Sequence, residues 1–273
     1  MKKFILLLFA IGSAVFGDNI SEAQEYFNRG ISNYEFQNYS KAINDFSKAI
    51  ELNPANADAY YNRGLSNYNL KDYASAIRDY SKTIELTPND SDTYYNRGLA
   101  YSDLKEYQLS IRDYTKTIEL NSHFVNAYNN RGFLYNQLKD YSLAIKDFTK
   151  AIELDANYSK AYYNRGLAYD NSKNYALAIK DYSKTIELAP KDSDAYYNRG
   201  NSYNHLKDYP SAIKDYTKAI ELNSHFANAY NNRGHLYGFK GDYKAATKDA
   251  KKACSLGSCG LFDMMKKNGY LKD

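Results

Sequence analysis

Tryptophan is missing from this chain, cysteine occurs twice and histidine four times. The histidines, His123, His205, His225 and His235, are scattered, and none stands in a cluster with metal-ligand spacing. No glycine-rich phosphate loop and no nucleophile elbow occurs either. With none of these signatures present, no enzymatic activity, metal or cofactor is expected. Strong charge of one sign is lacking too: the net charge is +4, and Lys2 and Lys3 supply two of those charges. A nucleic-acid partner is not expected on that balance. The stretch from Lys244 is locally basic, which fits a solvated helix face. Long apolar runs are absent after residue 16, so nothing further along could span a membrane.

The exception is the start. Lys2 and Lys3 precede an apolar run from Phe4 to Phe16 broken only by Gly12 and Ser13. A bilayer needs about 20 residues, and this run is shorter. A basic start, a short apolar centre and small residues at its end have the form of a signal peptide over 1–17. Val15 and Gly17 suit the positions before cleavage, with Ala14 as the alternative site. The mature protein is then exported, periplasmic or secreted, with no stable membrane insertion after cleavage.

What the chain has in abundance is tyrosine, 31 residues, and a period. Gly30, Gly64, Gly98, Gly132, Gly166, Gly200 and Gly234 are each 34 apart, each preceded by Asn-Arg. Numbering each unit so that this glycine is position 8 gives repeats at 23–56, 57–90, 91–124, 125–158, 159–192, 193–226 and 227–260. Residues 18–22 form a short lead. Each repeat holds two helical patterns. In the third, Tyr94, Arg97, Gly98 and Tyr101 share one side of a helical wheel. In the second, Tyr73, Ala76, Ile77, Tyr80, Thr83 and Ile84 form an apolar stripe. A longer step of 102 is superposed: "ELNSHF" ends at Phe124 and Phe226, which points to duplication of a three-repeat block and accounts for His123 and His225 without a metal.

Tyr60, Gly64, Tyr73, Ala76, Tyr80, Thr83 and Pro88, with the same frame in the other units, resemble the tetratricopeptide repeat family. The resemblance covers residues 23 to about 256, as an exported, bacterial-type member. It implies an all-α fold: a right-handed α-solenoid of seven helix-turn-helix units, closed by a C-terminal capping helix at 261–273 with Leu261, Met264 and Met265 inward. Two departures stand out. Position 7, often Leu in the family, is always Arg. Position 15, often Gly, is Gly only at Gly241; elsewhere it is Gln37, Lys71, Lys105, Lys139, Lys173 or Lys207. A left-handed turn there would cost each about 1 kcal/mol.

The glycine at position 8 is expected to let the second helix approach. The arginine beside it needs an acid, and position 23 supplies one in every unit, giving pairs such as Arg63 with Asp79, Arg97 with Asp113 and Arg131 with Asp147. Spacing leaves open whether the partner is in the same or a neighbouring repeat. Position 6 is Asn throughout: Asn28, Asn62, Asn96, Asn130, Asn164, Asn198 and Asn232. The wheel turns it away from the second helix, so its loss should leave folding unaffected. An amide offers both donor and acceptor to a peptide unit. The resemblance implies a concave, ligand-contacting ladder of these residues. Tyr61, Tyr95, Tyr163 and Tyr197 at position 5, and Leu65, Leu99, Phe133 and Leu167 at position 9, would line it. The expected function is a protein–protein scaffold holding an extended peptide or partner segment. Asp58, Asp92 and Asp194 favour a neutral or basic one. The alternative is an envelope-associated structural or glycan-binding protein. Cys254 and Cys259 are expected to form a disulfide in an exported chain.

Overall fold

The computed structural model describes residues 20–271; the signal-peptide expectation lies outside them. Every regular element among these residues is a helix. Helix α1 covers 20–35. It is followed by α2 (Tyr39–Leu52), α3 (Ala57–Asn69), α4 (Tyr73–Leu86), α5 (Ser91–Asp103), α6 (Tyr107–Leu120) and α7 (Val125–Gln137). Then come α8 (Tyr141–Leu154), α9 (Ser159–Asn171), α10 (Tyr175–Leu188), α11 (Ser193–His205), α12 (Tyr209–Leu222), α13 (Ala227–Phe239), α14 (Tyr243–Ser255) and α15 (Gly260–Lys267). The chain forms two compact units, one ending at Arg131 and the other beginning at Gly132. Within each, helix pairs stack as a right-handed all-α solenoid.

Local chemistry sets the helix ends. Four second helices start at aspartate caps, Asp72, Asp140, Asp208 and Asp242: Asp72 accepts from the Ser75 amide at 3.0 Å, and Asp242 from the Ala245 amide at 3.0 Å. The turn before each cap needs one left-handed residue. Lys71 (φ 63°) and Lys105 (φ 62°) adopt it, as do Gln37, Lys139, Lys173, Lys207 and Gly241. That geometry lets the Lys71 amide reach the Tyr68 carbonyl at 2.8 Å and the Asp72 amide reach the Asn67 carbonyl at 2.9 Å, closing the preceding helix. Only Gly241 meets the requirement without a Cβ penalty.

Packing inside a pair rests on a ring over a glycine. Phe46, Tyr80, Tyr114, Phe148, Tyr182 and Tyr216 at position 24 are fully buried. A Cβ on Gly64 would lie 2.8 Å from Cε1 of Tyr80, and one on Gly98 2.8 Å from Cε1 of Tyr114. The last pair has Ala250 in place of the ring, and α15 fills the space: Leu261 Cδ2 would meet a Gly234 Cβ at 2.7 Å. Leu261 and Met265, one helical turn apart, are buried with Ala246 and Ala250. Met264 points outward, 42% exposed, contrary to the inward expectation, because it lies off the 261–265 face. The helix stops at Lys267, where Gly269 turns left-handed (φ 70°) and the Tyr270 amide closes onto the Met265 carbonyl. Cys254 and Cys259 form a disulfide just before α15.

Among the described residues one buried side-chain polar atom is unsatisfied. Tyr182 donates its hydroxyl to Asp170 at 2.9 Å and Tyr216 to Asn201 at 2.9 Å. The residues aligned with those acceptors in the second repeat are Tyr68 and Leu65, and the Tyr80 hydroxyl has no partner. Phenylalanine already occupies this position at Phe46 and Phe148. Tyr80→Phe should therefore raise unfolding free energy by about 1 kcal/mol. Urea denaturation measures this, and a destabilised variant would show that the hydroxyl has a partner.

Candidate binding face

Five of the position-7 arginines carry three bonds each. Arg97 donates from Nε to Asp113 Oδ2 at 2.7 Å, from Nη2 to Asp113 Oδ1 at 2.8 Å, and from Nη1 to Ser81 Oγ at 3.0 Å. The acid is in the arginine's own repeat and the hydroxyl in the one before. Arg63 does the same with Asp79 and Ser47, Arg165 with Asp181 and Thr149, Arg199 with Asp215 and Ser183, and Arg233 with Asp249 and Thr217. Arg131 donates to Thr115 Oγ1 at 2.9 Å. The guanidinium also lies over the position-4 tyrosine, 5.6 Å from the Tyr94 ring centre for Arg97. Arg29, with no preceding repeat, is 61% exposed, whereas Arg97 is 18% exposed.

The asparagines of position 6 link successive first helices. Asn96 donates from Nδ2 to the Tyr61 hydroxyl at 2.8 Å, and Asn130 to that of Tyr95 at 3.0 Å. In the second unit Asn198 donates to Tyr163 at 2.9 Å and Asn232 to Tyr197 at 3.1 Å. Asn62 follows Phe27, which has no hydroxyl, and turns to the Asp58 carbonyl of its own helix at 2.8 Å. Asn28 accepts from Gln24 at 2.9 Å, and Asn164 is buried. The Asn therefore has structural weight, and the expectation that its loss spares folding does not match its bonding. The wheel turned it from its own partner helix but said nothing of the helix stacked beside it.

These bonds leave the asparagines unequal. Asn130 Oδ1 accepts from Asn129 at 3.1 Å, and Asn232 spends Nδ2 on both Tyr197 and Asn201. The side-chain carbonyls of Asn62, Asn96, Asn198 and Asn232 accept no hydrogen bond among the described residues, and in Asn96, Asn198 and Asn232 the amide is held by a tyrosine. At position 9 of the first helices, Leu65, Leu99 and Leu167 are half-buried, and Phe133 is 41% exposed. Asp92 and Asp194, one turn before Asn96 and Asn198, are exposed. Partial burial, and then Asp90 and Asp192 respectively, raise their pKa values. The tyrosines are held from both ends: the Tyr61 ring centre is 6.0 Å from that of Tyr80, and Tyr95 packs on Tyr114 and Phe124. Burial, followed by Asp92 and Asp90, pushes the Tyr61 hydroxyl pKa up to about 12, so it stays a neutral acceptor for Asn96.

First helices approach each other directly, α3 with α5 and α9 with α11; among the described residues no successive second helices come as close. The first-helix side is thus the inner, concave side of each unit. A model of the tetratricopeptide repeat matches residues 57–90, 91–124, 125–158, 159–192 and 193–226. The chain belongs to the tetratricopeptide repeat family. A TPR-repeat model also matches 30–71, and a further tetratricopeptide-repeat model matches 215–248.

Solved structures share the tetratricopeptide-repeat fold at low identity. The C-terminal part of a TPR repeat-containing protein from Cytophaga hutchinsonii is 21% identical with a TM-score of 0.76, covering 90% of this chain and 100% of that one. A tetratricopeptide repeat protein from Parabacteroides merdae is 22% identical with a TM-score of 0.67, covering 90% and 98%. YrrB, described as a TPR protein with an unusual peptide-binding site, is 24% identical with a TM-score of 0.60, covering 67% and 95%. No curated protein sequence matches the chain.

A well-formed cavity in this tetratricopeptide-repeat protein lies away from the asparagine face. It measures about 650 Å³ and lies on the outer side, lined by Ile84, Tyr94, Arg97, Arg112, Lys116 and Glu119. A counterpart of about 510 Å³ recurs 102 residues on, around Ile186, Tyr196 and Arg199. Its polar walls are mostly bonded to each other, Arg97 to Asp113 and Lys116 to Glu119 at 3.1 Å, so a ligand finds few open groups there. Among the described residues no group of three or more His, Cys, Asp or Glu could hold a metal ion, and no helix is long and apolar enough to cross a membrane. Sequence reasoning missed two residue sets. One is the position-5 tyrosine hydroxyl as the anchor of the next asparagine. The other is the position-25 hydroxyl that takes the arginine's third bond. The second had a signal: position 25 is Ser or Thr in six repeats and Lys251 in the seventh, which no arginine follows.

Proposed function

We propose that this protein is a non-catalytic scaffold that holds an extended segment of a partner protein against the concave, first-helix side of each unit. The observation that carries this is the open carbonyl of Asn96 and of Asn198, on an amide already locked by a tyrosine. A locked acceptor loses little side-chain entropy on binding, and a peptide N–H is its natural donor. Leu65, Leu99 and Leu167 add apolar contact. Asp92 and Asp194 favour a neutral or basic segment over an acidic one. Asn28 and Asn130, whose carbonyls already accept from Gln24 and Asn129, and the buried Asn164 then serve more as frame than as ligand contacts. A glycan would want open tyrosine faces, and those of Tyr61, Tyr95, Tyr163 and Tyr197 are packed against other rings. We place the partner outside the cytoplasm, in the periplasm or secreted. The leader at 1–17 and a bridged Cys254–Cys259 pair support that placement. An exported protein whose N terminus is Met1 would refute it; Asp18 is the expected first residue.

Two double variants test the binding reading on a peptide array. Asn96→Ala with Asn198→Ala removes the carbonyls, while Tyr61→Phe with Tyr163→Phe keeps them. Both delete the Asn–Tyr bonds and should lower the melting temperature alike. The asparagine pair should weaken binding roughly tenfold or more, and the tyrosine pair only a few-fold. Equal effects on binding, or a ligand found on a glycan array instead, would reject the proposal.

A further inference from the structure

The last second helix differs in charge from those before it. In the earlier repeats the outer lysine is paired with a glutamate three residues on, as Lys184 with Glu187 at 2.6 Å and Lys218 with Glu221 at 2.9 Å. In α14 the aligned lysine is Lys252, and Ser255 stands where the glutamate would be. Lys244 and Lys248 extend the row at steps of four, and all three lysines are exposed. The one acid within α14, Asp249, is buried against Arg233. The helix thus presents cations with no outer carboxylate among them.

Apolar groups are brought to the start of this row. Tyr270 stacks on Tyr243 with ring centres 5.0 Å apart, which folds the end of α15 back beside Lys244. That end carries Lys266 and Lys267, both exposed, while Asp263 sits in the first turn of α15. Phe239, at the end of α13 and four residues before Tyr243, is 74% exposed, and Tyr270 is 45% exposed. The nearby Asp242 is engaged in capping α14.

We propose that this edge of the second unit docks on an anionic lipid bilayer. Lysines alone would serve any polyanion. An exposed phenylalanine and tyrosine among them suit an interface where headgroup charge lies directly above acyl carbon. The attachment is peripheral and does not depend on the peptide reading, since it uses neither first-helix asparagine.

Co-sedimentation of the full chain with vesicles tests it. The protein should pellet with phosphatidylcholine–phosphatidylglycerol vesicles, not with phosphatidylcholine alone, and high salt should release it. Lys244→Glu with Lys248→Glu and Lys252→Glu should weaken vesicle binding roughly tenfold or more with the melting temperature unchanged, and Phe239→Ser several-fold with a slightly lower melting temperature, because the ring also packs on Tyr209. Equal partition onto both vesicle types overturns the proposal. So does undiminished binding by either variant, or capture by heparin or polyglutamate without binding to vesicles.

Discussion

The structure depends on one guanidinium geometry. A planar arginine offers a fork that fits a carboxylate and still has one nitrogen to spare. At position 7 the fork closes on the aspartate of the repeat's own second helix, and the spare nitrogen reaches the hydroxyl of the preceding second helix. One side chain therefore joins helix to helix and repeat to repeat. Burial makes the arrangement demanding: Asp113 and Asp181 are each 3% exposed, so losing the arginine would strand a buried charge. It also explains the array's ends. Among the described residues Arg29 bonds only Asp45 and is left largely in water, and Lys251 stands at position 25 in place of a hydroxyl. There Leu261 of α15, not a seventh ring, covers the last glycine.

The inner face follows from the same stacking. Once repeats are held in register, a tyrosine at position 5 falls beside the asparagine thirty-five residues on, and the two bond. This fixes the amide plane without using its carbonyl. The surface left over is narrower than a seven-rung ladder: among the described residues the side-chain carbonyls of Asn62, Asn96, Asn198 and Asn232 accept nothing, and Asn96 and Asn198 each have an aspartate one turn before. Asp103 and Asp170, acids further along the first helices, are spent on Tyr68 and on Ser202 and Tyr182. The acidity facing a ligand is that of Asp58, Asp92 and Asp194, all exposed.

Much of this was legible in the sequence, for physical reasons. A period of 34 with a glycine facing a ring defines a helix pair, because only a missing Cβ admits the ring that closely. The acid at position 23 was visible because a half-buried arginine demands one. What the sequence hid lies between repeats. A helical wheel orders residues around one axis and is blind to the rotation that sets the next axis beside it. So the asparagine looked free when it was bonded, and the hydroxyl at position 25 looked like ordinary helix surface. Met264 was misplaced for a smaller reason: four apolar residues in an eight-residue helix do not specify which pair faces inward until the partner surface, Ala246 and Ala250, is known. The lysines at position 15 look wrong for a left-handed turn and nevertheless adopt it, because the bonds that close the turn outweigh a cost of about 1 kcal/mol each.

The central claim is that a single arginine couples each repeat to the one before. A double-mutant cycle on Arg97→Ala and Ser81→Ala, read by urea denaturation, measures that coupling apart from the Asp113 pair. Shared bonding predicts an interaction energy of about 1 kcal/mol or more between the two sites. Additivity within about 0.3 kcal/mol would contradict it and leave the arginine as a tie within its own repeat only.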